Sequence, residues 1–188
     1  MEHSFQKIWS SKEGKERLLD LYQQYYADLY AYGLRICNNQ EMTRDAIHDL
    51  FIQVWEGKIN LSSVQSTKPY LLKSLRYILI DALKIKGKIS NLSTEEVYEY
   101  VLSEEDVVID AELSQENKIK LKEAILKLPA KQKEVIYLRY YEGLDYSEIA
   151  EVTETKNQSV RNTMSKALAE LRKYFSFLYV IVNSIQFF

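Results

Sequence analysis

From Leu144 to Leu171 the chain reads LDYSEIAEVTETKNQSVRNTMSKALAEL, a stretch with few ways to fold. Ile149, Ala150 and Val152 give a first helix its apolar side. Val160, Met164, Ala167, Leu168 and Leu171 recur at helical spacing in a second. Glu154-Thr155-Lys156-Asn157 between them has no large apolar residue, so the chain turns there. The second helix opens on Asn157, Gln158 and Ser159, then carries Arg161, Asn162, Ser165 and Lys166 on its open side. A plain helical hairpin with a solvated polar face has this pattern. So does a helix-turn-helix, in which one stripe anchors the second helix and the other offers amide and guanidinium groups to base edges. The residue types on the open side favour the helix-turn-helix.

Charge is informative only when divided along the chain. The formal net charge is −2. Residues 1–90 are net +3, residues 91–117 hold nine acids and no base, and residues 118–175 are net +4. Two mildly basic blocks flank an acidic strap, a partner-relevant arrangement that the whole-chain balance conceals. With 5 Gly and 2 Pro the chain suits an all-helical protein, and 15 Tyr supply each half with core material. The lone Cys37 excludes an internal disulfide and provides no zinc site, and His3 and His48 lack metal-ligand spacing. The N-terminus has no signal-peptide core, so a cytoplasmic location is expected. There is no Gly-rich phosphate loop and no His/Asp/Ser constellation. The sequence therefore points to a binding protein, not an enzyme, without metal or cofactor.

The expected fold class is all-α, two small helical domains joined by an acidic linker. The first domain covers 8–90. Leu18, Leu21, Tyr22, Tyr25, Leu29, Tyr32 and Ile36 mark one side of a long helix that Asn38-Asn39-Gln40 ends. Thr43 or a neighbour caps the next, with Ala46, Ile47, Leu50, Phe51, Val54 and Trp55 apolar and Gly57 as its stop. Pro69 suits the first turn of a third helix running to about Lys86, with Leu71, Leu75, Ile78, Leu79 and Ala82 inward. Residues 91–117 are either a solvated connector or a strap with its own binding groove. The second domain, 118–175, holds a helix stopped before Pro129, another ended by Gly143, and the helix-turn-helix. The apolar tail, 176–188, is too short to span a bilayer, which takes about 20 residues. It either continues the last helix, packs against a domain, or meets a partner chain.

Three windows, in order, resemble bacterial RNA polymerase sigma factors of the extracytoplasmic-function (ECF) type. AILKLPAKQKEVIYLRYYEGLDYSEIAE is similar to the start of sigma region 4. DAIHDLFIQVWE resembles region 2.2, and KPYLLKSLRYILIDALKIKGK resembles regions 2.3 and 2.4, with Asp81 and the trailing bases in place. Together they cover most of residues 18–174. Several positions depart from the family pattern. Glu154 stands where a turn glycine is usual, Thr155 where an apolar residue is usual, and Tyr77 where Asn is frequent. Ile85 and Gly87 dilute the basic run. The turn is then expected to be looser, or held by a longer side-chain bond.

The resemblance implies the roles. A core polymerase contact would use Asp45, His48, Asp49, Gln53 and Trp55, with Phe51 in the core. Contact with the −10 promoter element would use Lys73, Arg76, Tyr77, Lys84 and Lys86. The −35 element would be read by Asn157, Gln158, Ser159, Arg161, Asn162, Ser165 and Lys166. The implied partners are core RNA polymerase, promoter DNA and an anti-sigma factor, often membrane-anchored, with no small-molecule substrate. Two rival readings remain at this stage. One is a free-standing regulator that binds an operator as a dimer. The other is an interaction protein that imitates a sigma factor.

Overall fold

The computed structural model describes residues 12–61, 64–85, 100–101 and 115–174. Among these residues are seven α-helices and no strand: α1 Lys12–Cys37, α2 Gln40–Trp55, α3 Thr67–Leu83, α4 Gln115–Leu126, α5 Ala130–Tyr140, α6 Tyr146–Val152 and α7 Asn157–Tyr174. They form two compact units, the first built on α1–α3, the second on Tyr100, α4, α5, α7 and most of α6. The all-α expectation holds. Lys86, most of the acidic segment and the apolar tail lie outside the described residues.

In the first unit α1 packs on α2 and α3, and α2 packs on α3. Leu29, Tyr32 and Ile36 bury one stripe of α1. Ala46, Ile47, Leu50, Phe51 and Val54 answer from α2, and Leu71, Leu72, Leu75 and Leu79 from α3. Each large side chain removed from water contributes about 1.5–3 kcal/mol, so these stripes outweigh any single polar contact. The helices meet most closely at Gly33. A Cβ there would lie 2.9 Å from Thr43 Cγ2, 3.2 Å from Leu79 Cδ1 and 3.3 Å from Leu75 Cδ2. The missing side chain lets all three helices approach.

Expectation and structure differ at both ends of α1. Tyr22 and Trp55, placed on apolar stripes by spacing, are only partly covered, at 37% and 36% exposure. With 26 residues, α1 is about 39 Å long, against about 25 Å for α2 and α3, so its first turns have less to pack on. There Tyr22 turns its ring edge to Phe51 at 5.0 Å and lies 5.1 Å from Tyr26. At the other end, Asn39 caps α2 by accepting a hydrogen bond from the Met42 N–H at 2.8 Å. Thr43 does not cap. It is buried, donates its hydroxyl to the Asn39 carbonyl at 2.8 Å, and turns its methyl toward Gly33. Asn38 takes the left-handed backbone (φ 47) that the reversal between α1 and α2 requires.

The end of α2 follows expectation. Gly57 has φ 73, its N–H reaches the Val54 carbonyl at 3.1 Å, and the Lys58 N–H reaches Gln53 at 2.9 Å. That pair of bonds closes a helix on a left-handed residue and suits glycine.

In the second unit α7 packs against α4 and α5. Ala124, Ile125 and Leu128 join Val135, Ile136, Tyr137, Leu138 and Leu144 in the core. Tyr100, from the segment read as a linker, is also core. It is 1% exposed, with its ring 6.0 Å from that of Tyr137. A solvated connector does not describe this residue.

The crossing at Gly33 yields a prediction. Gly33→Ala would overpack the junction and destabilise the first unit by about 1–3 kcal/mol. Urea denaturation would show it as a lower midpoint. An unchanged midpoint would mean the helices separate freely there.

Candidate nucleic-acid interface

The helix-turn-helix begins with a polar clasp. Asp145 Oδ1 accepts the Ser147 N–H at 2.7 Å and the Glu148 N–H at 2.8 Å, while Glu148 Oε2 accepts the Asp145 N–H at 2.9 Å. This reciprocal arrangement satisfies donors that the first turn of α6 leaves without helical partners. The bonds from the Glu148 backbone and from Ser147 hold the Asp145 carboxyl below its ordinary range.

The turn after α6 is closed, not loose. Glu154 adopts φ 54, its N–H reaches the Glu151 carbonyl at 3.3 Å, and the Thr155 N–H reaches Ala150 at 3.0 Å. These are the two bonds that end α2 at Gly57, made here around a glutamate. The departure from glycine therefore costs backbone strain, about 1–2 kcal/mol for an L-residue in this region, without changing the turn geometry.

Lys156 starts α7, its carbonyl accepting from Ser159 at 2.8 Å and Val160 at 3.2 Å. Val160, Met164, Ala167 and Leu171 are buried, as is Ile149 of α6 in the same unit. The stripe turns Gln158, Ser159, Arg161, Asn162, Ser165 and Lys166 outward, all exposed, with Asn157 half-exposed. The structure thus brings all seven expected residues to one outward side of α7. Their groups are also ordered among themselves. Arg161 Nε donates to Asn157 Oδ1 at 2.8 Å, and Gln158 Nε2 donates to Asn162 Oδ1 at 3.0 Å.

Two residues of this surface escaped sequence reasoning. The Arg161 guanidinium lies 4.7 Å from the centroid of the Tyr146 ring, and the Arg139 guanidinium 5.4 Å from it. Arg139 is fixed further by donating to the Leu144 carbonyl at 2.9 Å. Tyr146 belongs to α6, Arg139 to α5 and Arg161 to α7, so no helical periodicity links them.

The first unit carries two further surfaces. On α3, Lys73, Tyr77, Asp81 and Lys84 recur at helical spacing along one side, and Tyr77 is 67% exposed. Arg76, expected beside them, is buried at 8% exposure and belongs to the interior. Its position, one residue before Tyr77, turns it about 100° away from the exposed stripe. On α2, Asp45, His48, Asp49 and Trp55 are exposed and Gln53 is half-exposed. Ile52, which the apolar stripe of α2 does not include, stands among them at 40% exposure. Phe51 is core, as expected. Among the described residues no three His, Cys, Asp or Glu side chains group as metal ligands, and no helix is long and apolar enough to cross a membrane.

Two outcomes are expected for the helix-turn-helix. Glu154→Gly should relieve the left-handed strain and stabilise the protein by about 1 kcal/mol, read as a higher denaturation midpoint. A lower midpoint would mean the glutamate side chain contributes more than its backbone costs. Asp145→Ala should destabilise by about 1 kcal/mol through loss of the cap. The folded Asp145 carboxyl titrates below its unfolded value of about 4. The cap's contribution is therefore complete above that pH and is lost as pH falls through the folded value. The stability difference between Asp145→Ala and the parent should shrink in acid; a difference constant down to about pH 2 contradicts the assignment.

Comparison with known proteins agrees with this geometry. Residues 118–171 match the family described as Sigma-70, region 4. The RNA polymerase sigma factor YlaC of Bacillus subtilis (strain 168) is 24% identical over 162 residues, covering 85% of this chain and 92% of that protein. The ECF RNA polymerase sigma factor SigX of the same organism is 24% identical over 165 residues, covering 84% of this chain and 83% of its own. Among solved structures, the sigma factor RpoE from Bartonella quintana, crystallised with the anti-sigma factor NepR, shares the fold. Its TM-score is 0.54 at 19% identity, over 89% of this chain and 99% of that one. With a region 4 match on its helix-turn-helix and sigma-factor relatives over most of its length, the chain is similar to the RNA polymerase sigma factors of the ECF type.

Proposed function

We propose that this protein is an alternative sigma factor. It binds core RNA polymerase, recognises the −35 and −10 promoter elements, and directs transcription initiation under the control of an anti-sigma factor. The observation that carries the reading is α7: an anchored helix within the region 4 match, with seven polar residues on its outward side. In this role Gln158, Arg161, Asn162 and Lys166 address base edges of the −35 element. Asn157, Ser159 and Ser165 contact phosphate or orient their neighbours.

The α3 surface serves the −10 element. Lys73 and Lys84 neutralise phosphate, and the exposed Tyr77 ring offers a stacking face to an unpaired base. Arg76 is assigned no DNA contact. Asp45, His48, Asp49, Gln53 and Trp55 form the polymerase-facing side of α2, with Ile52 added because its apolar side chain is exposed among them. Its work is binding, not catalysis, and it operates in the cytoplasm, where polymerase and promoters meet. Control by an anti-sigma factor is supported by the bound partner in the RpoE structure.

Transcription by core polymerase and the purified chain on a library of random promoters tests the reading. The expected products share an upstream motif and a −10-like motif. Arg161→Ala should then relax one upstream base pair by about 1–3 kcal/mol, and Lys84→Ala should weaken binding evenly and lower the salt slope by about one. Core binding without transcripts would favour an imitator of sigma factors. Specific DNA binding without core binding would favour a free-standing regulator.

A further inference from the structure

Arg161 is not a free side chain waiting for DNA. Its Nε is committed to Asn157 Oδ1 at 2.8 Å, and its guanidinium carbon Cζ lies 4.7 Å from the Tyr146 centroid. A guanidinium has five donors in a flat fork. With Nε engaged, the two terminal amino groups remain for an outside acceptor. A ring beside the plane restricts the twist of the fork. Arg139 lies against the same ring at 5.4 Å and is tied to the Leu144 carbonyl at 2.9 Å. The ring is thus held by a second cation that is itself anchored. Burial and the neighbouring Tyr146 also push the Tyr140 hydroxyl up.

We infer that Tyr146 is a positioning residue for base recognition: resting on the proposed promoter role, its ring sets the Arg161 fork so that it reads guanine O6 and N7, not phosphate. The two geometries differ in what they demand. A phosphate can be met by a charge that swings through many rotamers. A guanine edge requires two parallel donors in one plane, and any freedom of that plane is lost on binding. An arginine already clamped by a ring and an amide loses less of it. Tyr146 therefore acts on discrimination between bases, and hardly on attraction to DNA as such.

The test uses the full chain with core polymerase. The parent's upstream motif is first selected from the random library. Affinity for the selected promoter and for its single-base variants is then measured with Tyr146→Phe, Tyr146→Leu and Tyr146→Met. Phenylalanine keeps the ring and should keep the parent's discrimination. Leucine and methionine should lose about three-fold of it at a single G·C pair, with non-specific affinity and salt slope unchanged. The side-chain Nε–H signal of Arg161 supplies a reading independent of DNA: its ring-induced displacement should persist in Tyr146→Phe and vanish in Tyr146→Leu and Tyr146→Met.

Full discrimination in both ringless variants overturns the inference. So does a uniform loss of affinity in all three variants with a smaller salt slope, which would make the Tyr146 hydroxyl a phosphate contact. A parent chain that selects no motif with core polymerase overturns the promoter role, and this inference falls with it. A selected motif left unaltered in the ringless variants overturns the inference alone.

Discussion

Burial of Val160, Met164, Ala167 and Leu171 is the constraint on which the second unit depends. These four side chains lie along one stripe of α7 and fix its rotation about its own axis. Once that rotation is fixed, the outward set has no freedom. Gln158, Arg161, Asn162, Ser165 and Lys166 must face away from the core, because each interleaves with a buried neighbour at helical spacing. Buried area supplies the energy, and the polar residues contribute almost nothing to holding the helix. They are therefore available for an outside partner. The clasp at Asp145 and the closed turn at Glu154 complete the arrangement by setting where α6 starts and where the chain leaves it.

The same logic governs the first unit. Leu71, Leu75 and Leu79 commit one side of α3 to α1 and α2, leaving Lys73, Tyr77 and Lys84 outward. Gly33 is the complement of that burial. Its bare backbone admits Thr43, Leu75 and Leu79 together, so three helices share one close junction. The polar surfaces proposed to meet a partner sit on helices and not on long loops. Little conformational entropy is then lost when a partner binds them.

Apolar periodicity made much of this legible, and its errors have physical causes. Spacing recovered the stripes of α2, α3 and α7 and the outward set of α7, because those helices are amphipathic and well covered. It misplaced Tyr22, since periodicity marks a side but not how far the neighbouring helices extend over it. It placed Arg76 on the surface because a charged residue is expected in solvent. The structure buries this one among partners. Tyr100 was hidden in an acidic run whose composition suggested a solvated strap. Glu154 was noted as a departure from glycine, yet only the backbone shows that it adopts the glycine conformation. The contacts of Tyr146 with Arg139 and Arg161 join three helices, so they have no one-dimensional signature.

The distribution of charge bears on how two such surfaces would be used together. Residues 1–90 and 118–175 are net +3 and +4, but the nine acids of 91–117 leave the whole chain negative. Charges farther apart than about 8–10 Å are largely screened at physiological salt, so each basic block acts mainly at contact distance. The acidic segment lowers the net charge that the free chain offers to DNA, which would hold down its non-specific affinity. Neither unit alone needs to bind a promoter tightly. If polymerase holds both on one template, the second contact becomes intramolecular, and modest affinities multiply through effective concentration. Weak separate units are then what promoter selectivity requires. In the proposed role, discrimination would come from the few oriented donors of α7, while attraction common to all DNA, which would compete with them, would stay small.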